Sequence, residues 1–127
     1  MAMIVALIVA LIAAGIIAVF SFLFLGLPAL KKFIRKRKEK KKKIKVSFGD
    51  TKKVINENAR EILKNAPRIT MDDLEKLYEE TPYFVVDYDP ETDELTSDIE
   101  GIKVEEVGGD LEEFFDENAE DGIVLFD

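Results

Sequence analysis

The opening run, Met1 to Leu27, restricts what this chain can fold into more than any other stretch. It holds no charged side chain, and its only hydroxyl is Ser21. So long and uniformly apolar a run is difficult to bury in a chain of 127 residues. It reads as a transmembrane helix, because crossing a hydrocarbon core of about 30 Å takes roughly 20 residues at about 1.5 Å each. With Pro28 closing it, the expected span is residues 1–28. A cleaved signal peptide competes with this reading, but nothing basic precedes the apolar run, and Leu27 stands where a cleavage site wants a small residue. The expectation is an uncleaved anchor.

Charge after the run is distributed unevenly. Residues 31–45 carry eleven Lys or Arg against the single Glu39, whereas the remainder is strongly acidic, although the whole chain sums to only −8. The positive-inside rule places the basic cluster on the cytoplasmic side, with the N-terminus outside and the C-terminal domain in the cytoplasm. Within the span, Ala2, Ala6, Ala10, Ala14 and Ala18 recur every four residues with Gly15 beside them. That small-residue ridge is the expected helix-packing face, towards a copy of itself or another membrane protein.

Gly26 and Pro28 interrupt the apolar run, and Pro suits the first turn of a new helix. Residues 29–45 form the basic juxtamembrane segment. Leu30, Phe33 and Ile34 give it an apolar stripe, and Lys31, Lys32, Arg35, Lys36, Arg37, Lys38, Lys40, Lys41, Lys42 and Lys43 are the candidate contacts to anionic lipid headgroups. A topology signal, pairing with the acidic part of the same chain and nucleic-acid binding are competing readings. No Tyr, Trp or Gly is interleaved among Lys36–Lys43, so base stacking is not suggested and nucleic acid is not the expected partner.

Residues 46–127 read as a small acidic α+β domain, soluble and with a mostly antiparallel sheet. Ile44–Phe48 alternates as a strand. Asp50 or Thr51 caps a helix to about Asn65, with Val54, Ile55, Ala59, Ile62 and Leu63 as its stripe. Thr70-Met-Asp-Asp resembles a capping box and opens a second helix to about Glu80. Pro82–Tyr88 is a strand, Asp89–Asp93 a turn, and a return strand starts near Glu94. Ile102–Val107 alternates, Gly108-Gly109 breaks the chain, Asp110 caps a short helix, and Ile123–Phe126 closes the order β-α-α-β-β-α-β.

The residue inventory narrows the chemistry. There is no Cys, His, Trp or Gln. Disulfides, thiolate nucleophiles and the commonest general base and metal ligand are therefore missing. No cofactor or metal is expected, and no enzyme. Asp87-x-Asp89-x-Glu91-x-Asp93, with Asp98 beyond, offers oxygens at calcium-loop spacing, but Thr92 stands where such a loop needs Gly, so an ordinary acidic turn is the simpler reading. Ile123, Val124, Leu125 and Phe126 behind an acidic lead-in form a candidate partner tail. Leu125-Phe126 is similar to the end of the pentapeptides that bind bacterial sliding clamps, with Gly122 in place of the usual Gln.

The expected function is a single-pass, non-catalytic structural or interaction protein, a subunit of a larger membrane assembly, cellular or viral. The alternative is a membrane-tethered recruiter or regulator of a soluble basic or DNA-processing partner, acting through the acidic domain or its tail.

Overall fold

A computed structural model describes residues 18–40, 43–65, 69–92, 94–95 and 99–126. Its first element overturns the membrane-spanning helix. Ala18–Leu25, the end of the apolar run, is a β-strand, β1. No helix among the described residues is long and apolar enough to cross a membrane. The single-pass topology and the outside-to-cytoplasm placement drawn from it go with the helix. The physical reason lies in the local composition. Ala18–Leu25 carries Phe20, Phe22 and Phe24 at every second position together with Val19, and aromatic and β-branched residues fit a pleated surface. Apolar runs of this length fit a buried strand as well as a helix by pattern alone.

The chain then continues as helix α1 (Leu27–Lys40), strand β2 (Lys45–Asp50), helices α2 (Thr51–Asn65) and α3 (Met71–Glu80), strands β3 (Tyr83–Asp89), β4 (Glu94–Leu95) and β5 (Glu100–Val107), helix α4 (Gly109–Asn118) and strand β6 (Ile123–Phe126). Five strands lie side by side in the order β1-β5-β3-β2-β6, and the short β4 pairs with β3. β1 runs parallel to β5, while the β5/β3, β3/β2 and β2/β6 pairs are antiparallel. The sheet is therefore mixed, with β1/β5 its one parallel pair and the remaining pairs antiparallel, and the end of the supposed span supplies one of its edges.

Local chemistry sets the helix starts. Asp50 ends β2 and accepts from the Lys53 amide at 3.2 Å, which caps α2. Thr70 and Asp73 exchange the two bonds of a capping box at α3, at 2.9 and 3.3 Å. The Thr70 backbone amide, followed by its side chain, holds the Asp73 carboxyl below its ordinary range. Asp110 behaves differently from the sequence expectation. Gly108 is the N-cap of α4 and makes no side-chain cap bond. The Asp110 carboxylate instead accepts from Leu27 at 3.3 Å and Leu111 at 2.8 Å, tying the start of α1 to α4.

Each face of the sheet carries its own core. α2 and α3 cover one face, where Val54, Ile55, Ile62 and Leu74 meet Phe84, Val86, Ile99 and Ile123. α1 and α4 cover the other, where Leu30, Ile34, Leu111 and Phe115 meet Val46, Phe48, Val85, Ile102 and Val124. Gly49 serves the first face. A Cβ there would run into the Phe84 ring, which is fully buried. The amphipathic stripe of α1 is thus real, but Leu30, Phe33 and Ile34 lie against the sheet rather than against lipid.

Candidate functional site

Among the described residues the sheet has two edges, and the β1 edge is the exposed apolar one. β1 holds eight residues with no charge, Pro or Gly. Native edge strands are usually shortened, charged or covered because their free backbone groups template pairing with other chains. Here Val19 is 49% exposed, Phe20 38%, Leu23 77% and Phe24 55%. These residues make up four of the five exposed large hydrophobic side chains among the described residues, the fifth being Met71.

The strand is held from behind and from one face. Its backbone pairs with β5 from Ala18↔Glu100 to Leu25↔Val107. The Gly108 amide donates to the Leu25 carbonyl at 2.8 Å, which fixes its C-terminal end. Phe20 and Phe22 meet the Phe33 ring of α1 edge-on, at centroid distances of 5.4 and 5.9 Å.

A cavity borders the strand on each face. Towards α3, a cavity of about 390 Å³ is lined by Ser21, Phe22, Leu23, Glu79, Glu80, Pro82, Lys103, Val104 and Glu105. Towards α1, one of about 620 Å³ is lined by Phe20, Phe33, Lys36, Arg37, Glu39, Lys40, Asp87 and Glu100. The floor of the second is an ion triad. Arg37 donates from Nε and Nη2 to Asp87 Oδ1, at 3.0 and 2.9 Å, and from Nη1 to Glu100. The Asp87 residue is 4% exposed. Neutralised in this way, Arg37 acts as a clamp between the last turns of α1 and strands β3 and β5.

The residues singled out in the sequence fall in several places. Ala2, Ala6, Ala10, Ala14 and Gly15 lie outside the described residues, and Ala18 begins β1. Lys31, Lys32, Arg35, Lys36 and Lys40 are exposed on α1, Lys38 is partly buried, and Lys43 is exposed with a left-handed φ of 68°. Lys41 and Lys42 lie outside the described residues. Lys31 places its ammonium 5.6 Å from the Phe114 ring centre. Ile123–Phe126 is β6, paired with β2, and Ile123 and Val124 are buried. In the calcium-like stretch, Asp87 faces Arg37 from β3 and Asp89 accepts from the Glu91 amide at 2.9 Å, while Asp93 and Asp98 lie outside the described residues.

Two features escaped the sequence reading. Arg37 was one cation among many, yet it continues the stripe of Leu30, Phe33 and Ile34 at helical spacing, and that position marks it as inward-facing. Asp87 shares a sheet face with Val85 and follows directly on the apolar run Tyr83–Val86 of β3, which signals a buried charge in need of a partner. Comparison with protein-family models, with curated proteins and with solved structures finds no match.

Proposed function

We propose that this chain is a non-catalytic interaction domain that receives an extended segment of another polypeptide along β1. The observation that carries the reading is the edge itself: an uncharged eight-residue strand with Leu23 77% exposed. Strand addition at such an edge draws affinity from backbone hydrogen bonds and specificity from alternate side chains. The paired strand behind it and the clamped helix beside it hold the edge in place, so little ordering is required on binding.

A recruiting tail at Ile123–Phe126 finds less support. To enter a partner's groove, those residues would have to leave β2 and expose Ile123 and Val124.

The test is a photocrosslinking residue placed at Leu23 in the full chain, with a control at the exposed Glu117 of α4. The expected result is one defined partner segment joined at Leu23 and not at Glu117. A synthetic copy of that segment should bind at least about tenfold more weakly to the Leu23→Lys chain, because a central apolar anchor is worth more than about 1 kcal/mol. Equal adducts at both positions, or unchanged affinity for the variant, would overturn the reading.

A further inference from the structure

We infer that the segment received at β1 alternates basic with apolar side chains, its Lys or Arg residues lying on the α3 face of the sheet. The inference rests on the proposed role of β1 as a docking edge and names the chemistry of the occupant. Val19, Ser21 and Leu23 share one face of β1. Beside Ser21 and Leu23 the α3-side cavity is rimmed by Glu79, Glu80 and Glu105, with Lys103 as its one cation. All three carboxylates are exposed and accessible to an incoming chain.

The position of two of them adds a second argument. Glu79 and Glu80 end α3, and the last turn of that helix has no basic residue. The C-terminal end of a helix carries partial negative charge and is stabilised by cations. Two carboxylates at that end are unfavourable in the free domain, and a cation arriving from outside relieves them. The opposite face of β1 presents Phe20 and Phe24, 38% and 55% exposed, where the alternate side chains of the incoming strand would be apolar.

The competing occupants lack this complement. Residues 1–17 of the chain carry no Lys or Arg. The β1 strand of a second copy is equally uncharged and would bring another Glu79, Glu80 and Glu105 to the same face, where like charges repel.

The test uses the full chain and two probes, short peptides that alternate Lys with Val or Glu with Val. The Lys peptide should bind, and the Glu peptide should bind at least about tenfold more weakly. The double variant Glu79→Lys with Glu80→Lys should lose about tenfold for the Lys peptide, since each reversed exposed pair shifts binding by a few-fold. Leu23→Lys should abolish binding of both. Equal binding of the two peptides, with Leu23→Lys still abolishing it, would sink the basic occupant and leave the docking edge standing. No binding by either peptide, or self-association of the chain that Leu23→Lys removes, would overturn the basic occupant in favour of residues 1–17 or a second copy on the edge.

Discussion

The two edges of the sheet meet the same hazard in opposite ways. β6 is four residues long, follows Glu120 and Asp121, and sends Ile123 and Val124 into the two cores. β1 is twice as long, uncharged, and leaves Leu23 in solvent. β6 therefore carries two of the usual protections of an edge strand, brevity and flanking charge, while β1 carries neither. The contrast separates a strand whose side chains complete both cores from one whose apolar side chains are exposed.

The largest expected effect breaks the contrast from the β1 side. Arg37 clamps α1 to β3 and β5, and α1 in turn holds Phe20 and Phe22 through Phe33. Arg37→Met leaves Asp87, 4% exposed, and Glu100 facing each other without the guanidinium. Losing one partner from a buried ion pair costs about 3–5 kcal/mol. Denaturant unfolding should show that loss, and hydrogen exchange should find β1 deprotected before β6. Simultaneous loss at both edges would mean that α1 does not hold β1 separately.

Next comes a matched pair of truncations. Ile123→Ala empties a site that is 1% exposed, and such core deletions cost about 2–4 kcal/mol. Leu23→Ala removes the same kind of surface from a residue 77% exposed and should change stability by no more than about 0.5 kcal/mol. The difference between the two unfolding midpoints at constant m is the measure. Equal losses would mean that Leu23 is covered in the folded chain, and the edge would no longer be open.

How far these differences were legible depends on pattern. The two capped helices α2 and α3 and the strand β6 follow from residues with strong local preferences: Asp50, the Thr70–Asp73 pair, and a β-branched run after Gly122. β1 was not legible, because a run whose only polar side chain is Ser21 has no polar period to reveal its faces, and length alone argued for a helix. The stripe of α1 could be seen, but amphipathicity does not say what covers the apolar face. The sheet covers it, and no residue of α1 announces that. The candidate site was hidden for the same reason, since an edge becomes one only when strand order is known. Residues Gly26 to Ile99, 74 of them, separate β1 from β5 in the chain, and no local signal joins the two.

A smaller effect sharpens the β6 side. Asp121 and Gly122 have φ of 55° and 80°, and Glu120 and Ile123 exchange bonds at 2.9 and 3.1 Å across them. This two-residue turn sets the entry into β6, and Asp-Gly is a favoured pair for it. Gly122→Ala puts a Cβ on a left-handed backbone, 3.2 Å from Lys53, and should cost about 1–2 kcal/mol. Asp121→Gly should be nearly neutral. Both are read from the urea midpoint, and β1 exchange should stay unchanged in each.

The last and smallest effect is a pH dependence that belongs to the β6 half. Tyr83 stacks on Phe48 at 4.9 Å and meets Phe115 edge-on. Burial, then the charges of Asp50, Glu112 and Asp116, push its hydroxyl up to about 12. Asp50 ends β2, the strand that carries β6, and Glu112 and Asp116 sit on α4, which leads into β6; none lies on β1 or α1. The raised value fixes the sign. The folded state keeps the Tyr83 proton where the unfolded chain has lost it, so this contribution is complete below about pH 10 and declines as pH rises towards about 12. Tyr83→Phe keeps the stacked ring and removes the proton. The wild-type chain should therefore lose stability between those limits relative to Tyr83→Phe, and Glu112→Gln with Asp116→Asn should shrink the gap. Parallel alkaline limbs for wild type and Tyr83→Phe would show that the acidic flank of β6 does not act through this tyrosine.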